Sequence, residues 1–217
     1  CPHLANLSCN MIYNCLNFYL NVPVKQIKIL IMQAKDAIQN LKAGNARFLE
    51  GKVERNNQDS TRVQSLTGGQ APWAIILSCA DSRVVPELAF DAGLGELFVI
   101  RVAGNIANKS TVASIEYAIA HLGTKLIVVM GHENCGAVGA ALANGGGSES
   151  LDHLLAEIKP AIAQSGSTDI NEVVKVNAQL SAENLLARSL IISDAVKNEG
   201  VEVVSAFYNL SNGKVDL

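Results

Sequence analysis

Three short stretches of this chain are apolar at nearly every consecutive position: WAIILSCA (73–80), ELFVIRVAGN (96–105) and KLIVVMGH (125–132). Each is of strand length, and each is too short and too β-branched to make a comfortable helix. A strand with one face in water alternates apolar and polar residues. Strands apolar on both faces belong to a parallel sheet covered on both sides. Between the second and third runs, STVASIEYAIAHLG (110–123) has helical spacing, with Ser110 or Thr111 to cap its start and Gly123 to end it. That is a β-α-β unit, for which a right-handed crossover is expected. The expected class is therefore α/β, a mostly parallel central β-sheet flanked by helices.

The remaining segments fit this frame. Ala34, Ile38, Leu41 and Phe48 recur at helical spacing, so a helix is expected over 34–49. A polar loop with one short helix follows, over 51–70. After Cys135 come small helix formers, GAVGAALANGGG, and helices are predicted over 151–164 and 170–198. VEVVSAFYNL (201–210) reads as a fourth strand, with NGK (212–214) turning into a last short one. No repeat and no linker divides the chain, so 32–217 is read as a single domain. Residues 1–31, rich in Asn and apolar residues without periodicity, are read as a poorly defined N-terminal extension. They lack the basic lead and compact apolar core of a secretory signal.

Composition narrows the chemistry. The net charge is −3, with Lys and Arg scattered, which argues against nucleic acid as a partner. No apolar run approaches the roughly 18 residues of a membrane span. Three of the five cysteines crowd the N-terminus (Cys1, Cys9, Cys15), while Cys79 and Cys135 lie far apart in apolar surroundings. This is no disulfide framework. It fits a reducing compartment, the cytoplasm, and the N-x-S sequences at Asn6, Asn108 and Asn209 then carry no glycan.

The strand ends carry the chemistry. Cys79 closes the first run, His132 closes the third, and Cys135 follows three residues later, where strand gives way to helix. In open parallel sheets ligands bind at the carboxyl ends of strands. Two thiolates and one imidazole make a soft tetrahedral set suited to Zn²⁺, with one position left for water as in catalytic sites. Cys135 near a helix N-terminus favours the thiolate. If residues 79–83 stay extended, Cys79, Asp81 and Arg83 share a face. Asp81 then either binds the metal or accepts hydrogen bonds from Arg83, which would hold it off the metal and free the fourth position. Taken singly, each residue has an ordinary reading: a buried small thiol, a turn-capping Asp, a surface Arg. Their convergence is what argues for a site.

These motifs resemble those of the β-class carbonic anhydrases. The family carries C-x-D-S-R and, further on, H-x-x-C-G; this chain has CADSR at 79–83 and HENCG at 132–136. PELAFDAGLGELFVIRVAGN and SIEYAIAHLG are also similar to the family, so the resemblance covers about 34–217. It implies Zn²⁺ on Cys79, His132 and Cys135, with Asp81 as a fourth ligand only in a closed state. It implies Asp81 and Arg83 as a catalytic dyad orienting a zinc-bound hydroxide, and reversible hydration of CO2 to bicarbonate and a proton. The N–H of Gly136 would hold substrate. Gln70 would reach the site across a dimer interface, and Phe98 and Tyr117 would stand at apolar and aromatic pocket positions. A homodimer or higher even-numbered oligomer is implied, with the Ala34–Leu49 helix as an arm over the partner. In another branch a Trp at the position of Ile76 belongs to a second bicarbonate site, which is therefore not expected here. His121 is read as a helix-end residue and His153 as part of a solvated face.

Two alternatives stand beside this reading. One is hydrolysis of a CO2-like cumulene such as CS2 on the same zinc scaffold. The other is a non-enzymatic zinc-stabilised binding protein with Asp81 as permanent fourth ligand, which Arg83 argues against. A phosphate-binding loop is excluded, because Ala137 and Val138 stand where GHENCG would need Lys and Ser or Thr. A redox role lacks a C-x-x-C pair.

Overall fold

Helices do cover both faces of the sheet in the computed structural model, which describes residues 31–217. The extension read over 1–31, with Cys1, Cys9 and Cys15, lies outside the described residues except for Ile31. The chain begins with α1 (Ala34–Leu49) and a short α2 (Ser60–Ser65). It then enters β1 (Ala74–Ser78), α3 (Pro86–Ala89), β2 (Leu97–Arg101) and a one-turn 3-10 helix (Ala103–Asn105). α4 (Lys109–Leu122) leads to β3 (Leu126–His132), and α5 (Gly136–Leu142) starts four residues later. α6 (Glu149–Ser165), α7 (Ile170–Arg188) and α8 (Leu190–Asn198) precede β4 (Glu202–Tyr208) and β5 (Val215–Asp216).

The sheet order is β2-β1-β3-β4-β5, parallel throughout except for the antiparallel β4–β5 pair. β1 and β3 are central and buried at every position. Their alternate residues serve two cores. Ile75, Leu77, Ile127 and Val129 pack with α4, α7 and α8, while Ala74, Ile76, Leu126, Val128 and Met130 pack with α1 and α3. Each of the larger side chains taken from water contributes roughly 1.5–3 kcal/mol, which accounts for the unbroken apolar runs. β2 has the same kind of sequence, but it is the edge strand and its residues are only half-buried.

α1 turns Ala34, Ala37 and Leu41 onto its own sheet. Gly44 lets the helix lie directly on the Phe90 carbonyl, where a Cβ would collide with the backbone. The helix expected over 170–198 is two helices. Ser189 sits between them in extended conformation (φ −135°, ψ 117°). Its hydroxyl accepts from the Ile192 N–H at 3.1 Å and donates to Glu116 at 2.5 Å, so it caps α8 rather than continuing α7. Among the described residues no helix is long and apolar enough to cross a membrane.

Candidate metal centre

Parallel pairing brings the carboxyl ends of β1 and β3 together. Ser78 lies opposite Met130, so Cys79 leaves the sheet level with Gly131 and one residue short of His132. Cys135 is the N-cap of α5. The ligand atoms of Cys79, His132 and Cys135 all lie within 4.8 Å of one another, and all three residues are buried. The two sulfurs are 4.0 Å apart, and both thiols are free.

Local bonds aim these groups. His132 Nδ1 lies 2.9 Å from the Glu133 carbonyl, which can only accept. Nδ1 therefore carries the proton and Nε2 offers its lone pair. That Nε2 is buried and has no hydrogen-bond partner among the described residues, although a buried polar atom is ordinarily satisfied. Gly104 donates its N–H to Cys79 Sγ at 3.4 Å. It does so from a left-handed conformation (φ 71°), where a Cβ would strike Ile158. The hydrogen bond from Cys135, helped by the Gly104 N–H, drives the Cys79 thiol down against the upward pull of burial. Cys135, hydrogen-bonded to that thiolate and buried beside it, is pushed up, against the expectation from its place at the N-terminus of α5. Two sulfurs, one already favouring the thiolate, and an unpartnered imidazole lone pair form a donor set that fits Zn²⁺. Asp81 is not within ligand distance of the whole set, although its Oδ2 is 3.8 Å from His132 Nε2.

The segment 79–83 is not extended throughout. A turn begins at Asp81, closed by the Val84 N–H on the Asp81 carbonyl at 3.0 Å. The turn still joins Asp81 to Arg83. Oδ1 accepts from Arg83 N and Nε at 3.0 and 2.9 Å, and Oδ2 from Nη2 at 2.7 Å. These bonds hold the Asp81 carboxyl well below the usual carboxylate range, more than offsetting desolvation. Arg83 reaches this pair from an exposed position (57% of its side chain), whereas Asp81 is mostly covered (16%).

Gly136, the first residue of α5, is exposed, and a Cβ built on it would meet nothing within 4 Å. The other residues singled out from the sequence lie elsewhere in the chain. Gln70 is exposed in the loop before β1. Phe98 packs with the Ile75–Leu77 cluster rather than with the one that holds Cys79 and Cys135. Tyr117 is half exposed, its ring 6.4 Å from Phe98 and 4.9 Å from His121 in the last turn of α4. His153 is exposed on α6, and Ile76 is fully buried in β1.

Sequence reasoning missed Arg101. It ends β2 opposite Ser78, and its guanidinium donates to the carbonyls of both Cys79 and Asp81. The available signal was a lone Arg at the carboxyl end of an apolar run; only the β1–β2 register brings it beside the motif.

Comparison with known proteins gives this geometry a setting. A family model described as carbonic anhydrase matches residues 74–215. Carbonic anhydrase 2 of Mycobacterium tuberculosis is 37% identical over 185 residues, spanning 82% of this chain and 89% of that protein. The carbonic anhydrase of Helicobacter pylori strain J99 is 31% identical over 196 residues, spanning 79% and 86%. Among solved structures, the β-carbonic anhydrase CafA of Aspergillus fumigatus superposes with a TM-score of 0.67 at 25% identity, over 84% of this chain and 88% of that one. A tetrameric β-carbonic anhydrase of Sordaria macrospora gives 0.64 at 30% identity, over 83% and 96%.

Proposed function

The chain belongs to the β-class carbonic anhydrases, enzymes of reversible CO2 hydration, and from that membership we propose that Cys79, His132 and Cys135 hold Zn²⁺ while Asp81 and Arg83 direct the attack. The observation that carries this reading is the buried, unpartnered Nε2 of His132, turned toward two sulfurs and beside a carboxylate fixed by Arg83. Zn²⁺ bound there supplies Lewis acidity that lets a water ionise near neutral pH.

The remaining work falls to the protein. Asp81 stays ionised and is an acceptor only, so Oδ2 takes the O–H of the attacking water and aims its lone pair at the carbon of CO2. Arg83 occupies both carboxylate oxygens and keeps Asp81 from becoming a fourth ligand. The Gly136 N–H, with open space beside it, donates to a substrate oxygen. Gln70 reaches the site from a second copy of the chain, and Phe98 and Tyr117 take the apolar and aromatic positions of the pocket. Their half-buried or exposed state in one chain accords with those roles. We propose a homodimer or higher even-numbered assembly acting in the cytoplasm, in which α1, seated on its own sheet by one face, reaches over the second copy with the other. The tetrameric Sordaria macrospora relative supports an assembly of this kind.

The test is stopped-flow CO2 hydration, with zinc content measured on the same sample. The expected result is about one zinc per chain and rapid hydration. Full zinc without hydration at any pH between about 6 and 9 would replace this proposal with a zinc-stabilised binding protein.

A further inference from the structure

β1 ends its pairing at Ser78, where it still faces Arg101 on one side and Met130 on the other. Beyond that point the carbonyls of Cys79 and Asp81 have left the sheet ladder, and only that of Asp81 is answered locally, by the Val84 N–H at 3.0 Å. Both are claimed by one side chain. Arg101 Nε donates to the Cys79 carbonyl at 3.1 Å, and its Nη2 donates to the Asp81 carbonyl at 2.6 Å. The Cys79 carbonyl belongs to the residue that presents a sulfur, and the Asp81 carbonyl to the residue that presents the carboxylate. Arg101 is itself anchored, because it is the last residue of β2 and the following Val102 N–H donates to the Ser78 carbonyl at 3.1 Å. A rigid planar fork spans two acceptors at a fixed separation, which a single ammonium cannot do.

We propose that Arg101 is a positioning residue: its guanidinium locks the Cys79–Asp81 backbone, so that the thiolate and the Arg83-bound carboxylate keep one mutual spacing. It does this through main-chain oxygens, without touching metal or substrate. The inference rests on the proposed CO2 hydration for its kinetic readout, but not for its spectroscopic one.

Arg101→Met keeps the apolar stem and removes the fork, and Arg101→Lys keeps only the charge. Both are compared with the unaltered chain for zinc content, kcat and KM for CO2, and the visible spectrum of the Co²⁺-substituted protein. The expected result is about one zinc per chain throughout and KM within about twofold. kcat falls by about 10- to 100-fold in Arg101→Met and by less in Arg101→Lys, and the sulfur-to-cobalt bands shift. A kcat within about twofold of the unaltered chain, with an unshifted spectrum, overturns the proposal. So does a raised KM with kcat intact, which would make Arg101 a substrate contact, and so does loss of zinc from a folded Arg101→Met. If Arg101→Met does not fold, Arg101→Lys decides by the same readouts. An unaltered chain that fails to hydrate CO2 would sink the proposed function instead, and the cobalt spectra would still decide the role of Arg101.

Discussion

Two regions of this molecule bury polar groups, and they do so in opposite ways. Where α1 meets α3 and the C-terminal hairpin, every buried side-chain polar atom among the described residues is answered. The amide of Asn45 donates to the Ala89 and Gly213 carbonyls and accepts from the Val215 N–H, all within 2.9–3.0 Å. Nearby, Asp91 accepts from Arg47 and from the Glu54 and Arg55 N–H groups, with 2% of its side chain exposed. At the carboxyl ends of β1 and β3 the opposite holds. The buried side-chain atoms without partners among the described residues are Ser78 Oγ, both amide atoms of Asn105, and His132 Nε2. Ser78 precedes Cys79 in the chain, and Asn105 follows the Gly104 that bonds to Cys79. A satisfied polar group fixes packing. An unsatisfied buried one costs about 1–3 kcal/mol, which a chain sustains where a ligand will answer it. The first region is therefore built for stability and the second for chemistry.

The largest expected effect breaks the second region alone. Cys79→Ser should lose both zinc and CO2 hydration, the latter by ~1000-fold or more, since the metal supplies several kcal/mol of barrier lowering. Metal analysis beside stopped-flow checks this, and a Ser variant that kept zinc and rate would erase the distinction between the regions. Asp81→Asn separates metal holding from orientation within the same region. It should keep zinc and lose about 100-fold or more in kcat, the scale of a positioned proton acceptor; full activity would show the dyad to be misassigned.

Asn45→Ala is the mirror experiment in the first region. It leaves two carbonyls and one N–H unpaired and should cost about 2–3 kcal/mol in denaturant unfolding, with kcat within about twofold. A fall in kcat at full stability would contradict the contrast. The smallest effect concerns acid. Burial would raise the Asp91 carboxyl, but the backbone N–H groups and Arg47 outweigh it and hold the group below its ordinary value. A depressed folded-state pKa stabilises above the unfolded value near 3.9, and that gain is lost as pH falls through the folded one. The stability gap between the unaltered chain and Asp91→Asn should thus be full at neutral pH and shrink below about pH 4. An unchanging gap would mean that the ion pair contributes nothing through its charge.

What could be read in the sequence was what has a local period or motif. The central strands, the α4 crossover and the convergence of Cys79, His132 and Cys135 on strand ends all followed from apolar runs and the residues that close them. The break at Ser189 was hidden because LARSLIIS keeps its apolar content through the interruption, and only the hydroxyl bonds to Ile192 and Glu116 mark a new cap. At Asp81 the sequence leaves extended chain and turn both open, and the structure has the turn. Arg83 approaches Asp81 in either conformation, so residue spacing could not separate the two. Arg101 and the Asn45 network lay beyond reach because their partners are 20 to 170 residues away in the chain. Such contacts are set by sheet register and helix seating, which no local pattern encodes.

The central claim is that the unanswered imidazole nitrogen faces a metal shared with two sulfurs. X-ray absorption at the zinc edge of the purified protein tests it most directly. The account predicts zinc with two sulfur neighbours, one imidazole nitrogen and one further light atom. Zinc surrounded only by nitrogen and oxygen, or protein that takes up no zinc with its thiols intact, would contradict it.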